Sequence, residues 1–286
     1  MIKDVGIFVK RKDGAAASKA CELVRWLNDR GVKVYLEPES ECRARQSKLC
    51  VRGSLFKHSE LMIVLGGDGT FIAAVRGLGS RRVPVLGVNM GGLGYLTEIT
   101  LDEMYGTIEA ALKGKVEIEH RMNLQVIYRN ASTGSTRTRH VLNDAVINRS
   151  AIARMIEMNV FMDGSKTALI RADGIILSTP TGSTAYAMSA GGPIVHPTLP
   201  SIVIAPICPH TLNLRPVIVP AEAEIKVQLM SKEDDVYLTL DGQEGWEMGV
   251  GDSIRARRGR YDVLIVKSPS KSTFDIMRSK LHWARY

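Results

Sequence analysis

At 286 residues, with 45% hydrophobic and 24% charged residues, the chain has the composition of an ordinary globular protein long enough for two packed cores. That balance excludes a disordered or collagen-like chain, and no apolar run approaches the roughly 20 residues that cross a bilayer. The net charge of +8 favours anionic partners without choosing among nucleic acid, a membrane surface and a phosphorylated small molecule.

The first ten residues, MIKDVGIFVK, run almost at once into a strand. They lack the basic region, long apolar core and cleavage site of a signal peptide, so a cytoplasmic location and no membrane partner are expected. Cys21, Cys42, Cys50 and Cys208 form no CxxC pair and are read as reduced, with no structural zinc.

DVGIFVK reads as a strand, and residues 15 to 30 read as a helix with Ala20, Leu23, Val24 and Leu27 on one face and Gly31 as its stop. VKVYLEP is a second strand, residues 41 to 58 are basic and ambiguous, LMIVL is a third strand and PVLGVN a fourth. A helix starts near Thr70, and Thr100 with Glu103 has the spacing of a capping box for a helix through Leu112. Alternating strands and helices predict an α/β domain over 1–118, Rossmann-like, with a parallel sheet and helices on both faces.

The pattern changes near Lys115. Leu124, Val126 and Tyr128, then Ile225, Val227 and Leu229, then Val236, Leu238 and Leu240, then Val263 and Ile265 recur with period two. They predict an all-β, sandwich-like second domain over 119–270. In IRARRGRYD, Arg255 and Arg257 share a face and read as a solvated strand edge leading to a hairpin at Gly259. A tail helix over 271–286, capped by Ser272 and Asp275, carries Phe274, Met277 and Leu281 as an apolar stripe and is expected to pack back on the first domain.

Two stretches carry chemistry. LGGDGT, residues 65–70, lies at the carboxyl end of a strand, where ligands bind in open parallel sheets. Gly66, Gly67, Gly69 and Thr70 bring backbone N–H groups and a helix N-terminus together, which suits a phosphate. The turn is neither a Walker A loop nor a GxGxxG fingerprint, and Asp68 reads equally as turn-former, ligand holder or catalyst. ADGIILSTPTGSTAYAMSAGGP, residues 172–193, places Ser178, Thr179, Thr181, Ser183 and Thr184 around Pro180 and Gly182, a set of hydroxyls suited to a sugar and phosphates. LNDAV and LDGQ, taken singly, read as turns.

In these segments the chain resembles the NAD kinase family. The resemblance rests on GGDGT at 66–70, NMGGLGYLT at 89–97, Asn143–Asp144, RADGIILSTPTGSTAY at 171–186 with SAGGP after it, and DGQ at 241–243, all in family order. It implies phosphorylation of the 2′-hydroxyl of the adenosine ribose of NAD to give NADP, with ATP or another phosphoryl donor and a divalent cation, magnesium being the expected one. It also implies a homodimer or homotetramer. Asp68 matches the catalytic aspartate and Gly69 its NAD-contacting neighbour, while Asn143 and Asp144 match the pair that holds the adenosine ribose. Asp173 matches the acid near the nicotinamide amide, and Thr184, Ala185, Tyr186 and Ser189 match the adenosine side, with Thr181 in the same loop. Arg154, Arg171 and Gln243 match further contacts.

Asp144 departs from the glutamate common in the family, which shortens its reach. The immediate start of the first domain, without a long extension, points to the bacterial type. Two other readings stand beside this one: a diacylglycerol-type lipid kinase sharing the GGDGT turn, and a non-catalytic nucleotide sensor on the same fold. A nucleic-acid partner has only the charge to support it and is set aside.

Overall fold

The computed structural model describes residues 2–37, 48–49, 52–92, 94–149, 155–211, 213–231 and 235–281. It divides into two compact units, Met1–His120 with Val263–Tyr286, and Arg121–Asp262.

The first unit is built from β1 (Asp4–Val9), α1 (Gly14–Asn28), β2 (Lys33–Leu36), β3 (Lys48–Leu49), α2 (Arg52–His58), β4 (Leu61–Gly66), α3 (Asp68–Leu78), β5 (Val85–Asn89), α4 (Leu101–Leu112) and β6 (Ile118–Arg121). After the second unit the chain returns to it with a last strand, Val263–Val266, and a last helix, Thr273–Leu281. Leu61, Ile63 and Leu65 on one face of β4 pack with Leu23 and Leu27 of α1 and Met104 and Ile108 of α4. The opposite face is covered by α2 and α3, with Phe8 of β1 and Phe56 of α2 at 5.8 Å between ring centroids. Burial on both faces is why β4 reads as an unbroken apolar run and not as an alternation. Truncating one such side chain, Leu23→Ala, is expected to cost about 2–5 kcal/mol.

Start signals behave as their chemistry requires. Asp13 Oδ1 accepts the Ala16 N–H at 3.1 Å to cap α1, and Thr100 donates its N–H to Glu103 Oε2 at 2.9 Å in the capping box of α4. Among the described residues no helix is long and apolar enough to cross a membrane.

The second unit contains β7 (Leu124–Arg129), β8 (Thr136–Val141), β9 (Asp144–Arg149), β10 (Ile156–Met162), β11 (Ser165–Ala172), β12 (Gly174–Ser178), a 3-10 turn (Gly182–Thr184) and α5 (Tyr186–Ser189). Then follow β13 (Ser201–Ile207), β14 (Val217–Pro220), β15 (Ile225–Leu229), β16 (Val236–Leu240), β17 (Glu244–Met248) and β18 (Ser253–Arg258); the strand and helix that return to the first unit are β19 and α6. Two antiparallel six-stranded sheets, β11-β10-β15-β18-β7-β8 and β14-β13-β12-β9-β16-β17, share one core. Val126, Met158, Val227 and Ile254 from one meet Ile147, Ile175, Ile202 and Leu238 from the other. The far side of the second sheet is covered as well: Val146, Ile176, Val203 and Ala205 pack under Ala187 and Val195. That cover follows the 3-10 turn, and at the end of the sheet where the turn begins β9 presents its amino end and β12 its carboxyl end, Asp144 pairing with Ser178.

Several expectations change. Val263–Val266 does not extend the β-rich unit; Ile265 pairs in parallel with Val85, inside the seven-stranded sheet β3-β2-β1-β4-β5-β19-β6. A four-residue apolar strand carries no mark of which sheet it joins. In α6 the buried residues are Ile276 and Met277, while Phe274 is 59% exposed. Arg255 and Arg257 do share a solvated face, but β18 lies between β15 and β7 and is not an edge. Cys21 is disulfide-bonded, which corrects the reading of all four cysteines as reduced, since spacing rules see only pairs close in sequence. The polar stretch SKEDD, residues 231–235, which reads as a hairpin loop between two period-two strands, falls mostly outside the described residues.

Candidate active site

In the first unit, β4 ends at Gly66 and α3 begins at Asp68, with Gly67 as its N-cap in an extended conformation and no side chain capping the turn. A helix start at a strand's carboxyl end with no side chain over it is the kind of place where anions bind. Asp68 itself does not close this turn. Its carboxylate reaches the loop after β5, where Oδ1 accepts the N–H groups of Leu96 and Thr97 at 3.0 and 3.1 Å and the Thr97 hydroxyl at 3.1 Å. Oδ2 accepts the Tyr95 N–H at 2.8 Å. Four donors from one loop hold a half-buried carboxylate at a strand's carboxyl end, and the turn-former reading loses its support there. Gly69 is exposed beside it, and Thr70 donates its N–H to the Gly67 carbonyl at 3.0 Å.

In the second unit the hydroxyl-rich loop is differently arranged from what the sequence suggests. Ser178, Thr179, Thr181 and Ser183 are buried. Thr179 Oγ1 donates to the Leu142 carbonyl at 2.6 Å and accepts the Gly182 N–H at 3.1 Å, Ser178 Oγ donates to the Asn143 carbonyl at 3.2 Å, and Ser183 Oγ donates to the Pro180 carbonyl at 2.6 Å. Thr184 Oγ1 donates to the Thr181 carbonyl at 3.2 Å, and Arg121 donates to Thr181 Oγ1 at 3.3 Å. Ser178, Thr179, Ser183 and Thr184 thus each donate to a backbone carbonyl. The loop lies so close that a Cβ on Gly182 would sit 2.3 Å from the Asn143 carbonyl oxygen. The effect is to brace Leu142–Asn143 against the loop, so that Asn143 and Asp144 are presented at a fixed place.

What they are presented to is a cavity of about 340 Å³ lined by Asn143, Asp144, Asn148, Ala185, Tyr186 and Asp241, with Val146, Thr239 and Gly242 completing the wall. Tyr186 is 42% exposed at its edge. Asp144 is buried, and its carboxyl is pushed up to about 7, first by burial and then by the charge of Asp241. Asp241 sits at a positive φ of 51° in the turn between β16 and β17 and accepts the N–H groups of Leu142, Asn143 and Asp144 at 3.0, 2.7 and 3.2 Å. A cavity lined by two asparagines and two carboxyls together with an exposed aromatic ring has the polar and stacking groups that suit a nucleoside.

The remaining predicted residues are placed as follows. Arg171 lies on β11 and pairs with Glu157 at 2.5 Å, a contact across two strands that accounts for its position without a ligand. Asp173 is exposed between β11 and β12, Ser189 is exposed at the end of α5, and Gln243 is exposed in the β16–β17 turn. Arg154 lies outside the described residues. Asn148, Val146 and Thr239 were not singled out in the sequence, and no local signal marks them; they line the cavity because alternate residues of β9 and β16 share a face. Asp241 is marked in the sequence only as a turn residue and as the first residue of the DGQ motif.

Among the described residues no group of three or more His, Cys, Asp or Glu could hold a metal ion. Mg²⁺ needs only one or two carboxylates where phosphates supply its other ligands. The donor set near Asp68, one carboxylate with Oδ1 already filled, therefore fits an ion carried in on phosphates and not a caged one.

Family models describing the ATP-NAD kinase N-terminal and C-terminal domains match residues 5–116 and 142–268. An NAD kinase of Geotalea daltonii is 46% identical over 282 residues, covering 99% of both chains, and one of Geobacter sulfurreducens is 44% identical over 283 residues with the same coverage. Among solved structures, yeast NADH kinase complexed with NADH superposes with a TM-score of 0.90 at 27% identity, covering 100% of this chain and 89% of its own. An NAD kinase from Archaeoglobus fulgidus in complex with ATP superposes with a TM-score of 0.77 at 25% identity, covering 96% and 99%.

Proposed function

The chain belongs to the NAD kinase family, and from that premise we propose that it transfers the terminal phosphoryl group of ATP to the 2′-hydroxyl of the adenosine ribose of NAD, giving NADP and ADP. The observation that carries the finer reading is the cavity that Asn143 and Asp144 line together with Tyr186. A ribose hydrogen-bonded there has its adenine against the tyrosine ring.

In the reaction the ribose 2′-oxygen forms a bond to the γ-phosphorus as the bond to the bridging oxygen of ADP breaks, and the hydroxyl proton passes by way of its hydrogen-bond acceptor to solvent. Phosphoryl transfer passes through a loose transition state in which that proton leaves late. Asp68 therefore acts by accepting a hydrogen bond from the hydroxyl and aiming it, and the glycine turn with the α3 N-terminus holds donor phosphates. A divalent ion, magnesium the expected one, neutralises phosphate charge when bound with ATP. Arg154, Arg171, Asp173, Ser189 and Gln243 remain assigned to the dinucleotide by family resemblance alone, as do the cytoplasmic location and a homodimer or homotetramer.

The lipid-kinase and sensor readings are not favoured, because NAD kinase family models match in both halves of the chain. The test is direct. Purified protein with ATP, magnesium and NAD is expected to form NADP, detected by an NADP-specific dehydrogenase; no NADP, with NAD and ATP both bound in calorimetry, overturns the kinase reading.

A further inference from the structure

The loop that holds Asp68 makes its two oxygens unequal. Oδ1 carries three donors, the N–H groups of Leu96 and Thr97 and the Thr97 hydroxyl, which exceeds the two lone pairs of a carboxylate oxygen. Oδ2 carries one, the Tyr95 N–H, and keeps a lone pair. We propose that Thr97, oriented by Asn89, is a positioning residue that reserves Asp68 Oδ2 for the substrate hydroxyl, an inference that rests on the reading of Asp68 as the acceptor of that hydroxyl.

The orientation follows from a chain of hydrogen bonds with one consistent direction. Asn89 is the last residue of β5, paired with Gly66 at the end of β4. Its Oδ1 accepts the Gly91 N–H at 2.7 Å, which fixes the amide so that Nδ2 faces Thr97. Nδ2 donates to Thr97 Oγ1 at 2.9 Å. The hydroxyl then has one proton, and it goes to Asp68 Oδ1. Thr97 is fully buried and Asn89 is 7% exposed, so water does not compete for either group.

Sterics close the arrangement. The turn from Gly94 to Thr97 is tied by the Gly94 N–H donating to the Thr97 carbonyl at 3.3 Å. A Cβ on Gly94 would stand 2.3 Å from Asp68 Oδ1 and 1.9 Å from Thr97 Oγ1, so the carboxylate and the hydroxyl occupy the space a side chain would take. The segment NMGGLGYLT, a bare glycine-rich strand exit in the sequence, thereby becomes the mount of the acidic residue 21 positions or more before it in the chain.

Thr97→Val keeps the shape and removes the hydroxyl; Thr97→Ser keeps the hydroxyl. Thr97→Val leaves Asp68 on its three backbone donors and removes the fourth, which loosens the aim of the carboxylate; kcat is expected to fall about tenfold to a hundredfold while KM for NAD stays within about twofold, as misplacement of a reacting group does. Thr97→Ser should return kcat to within about threefold of the parent. Asn89→Ala, which releases the hydroxyl without touching Asp68, should lower kcat by a smaller factor and leave KM alone, and it decides the matter if Thr97→Val does not fold. Unchanged kcat in the folded variants, a change in KM alone, or Thr97→Ser no better than Thr97→Val would overturn the proposal. If Asp68→Asn is itself active, the underlying reading fails; if Asp68→Asn is inactive and Thr97→Val is fully active, only this inference fails.

Discussion

Asp144 and Asp241 are joined in both directions: Asp241 donates its N–H to the Asp144 carbonyl oxygen at 2.9 Å, and Asp241 Oδ1 accepts the Asp144 N–H at 3.2 Å. The pair ties the start of β9 to the β16–β17 turn and brings two carboxyls together at the floor of one cavity. Its consequence is electrostatic. A buried acid beside a second acid holds its proton near neutrality, where an exposed one does not.

That proton sets a pH dependence of stability. Between the ordinary value of 3.8 and about 7 the folded chain keeps a proton on Asp144 that the unfolded chain has released. Stability present at acid pH is therefore lost as pH rises through about 7, by an amount on the order of a few kcal/mol. Asp144→Asn does not titrate. Melting temperatures measured from about pH 5 to about pH 8 should move in favour of the variant as pH rises, and parallel curves for the two proteins would contradict this.

Substrate binding has the opposite sign. A ribose hydroxyl donates best to a charged carboxylate, so KM for NAD should fall as pH rises through the Asp144 value of about 7. Asp241→Asn keeps an acceptor and tolerates the positive φ but removes the neighbouring charge. Its inflection should appear at lower pH than in the parent, and an inflection that does not move would assign the titration to another group.

Asp241→Ala leaves the N–H groups of Leu142, Asn143 and Asp144 without their acceptor. Each buried donor left unpaired costs about 1–3 kcal/mol, so a substantial loss of stability in urea and a rise in KM for NAD are expected together. A stable variant with normal KM would show that water takes over the role.

Asp68→Asn is expected to abolish turnover with NAD affinity within a few-fold. Both oxygens accept backbone N–H groups, so whichever way the amide is turned its NH₂ meets a donor, and the charge is gone as well. Steady-state NADP formation and NAD calorimetry on one preparation check it, and retained activity counts against the assignment.

Tyr186→Ala removes an exposed ring from the cavity edge. Loss of base stacking on the order of 1 kcal/mol should raise KM for NAD several-fold with kcat nearly unchanged. Thr179→Val is the contrast: its hydroxyl braces Leu142 and Gly182, so a fall in melting temperature is expected first. Equal melting temperatures for Thr179→Val and the parent would return that hydroxyl to the ligand.

The sequence by itself determined the alternation of strands and helices in the first unit, the period-two strands of the second, and the family, because each rests on local patterns: apolar spacing, caps and contiguous motifs. GGDGT, Asn143–Asp144 and STPTGSTAY were legible as candidate chemistry for the same reason. Only the tertiary structure decided what those residues touch. The hydroxyls of Ser178, Thr179 and Ser183 donate to backbone carbonyls, Asp241 is an anchor as well as a turn residue, β19 returns to the first sheet, and Asp68 is held by a loop from the neighbouring strand. These depend on partners far apart in the chain, and whether a polar group meets a ligand or another part of the protein depends on which of them folding brings within hydrogen-bond distance.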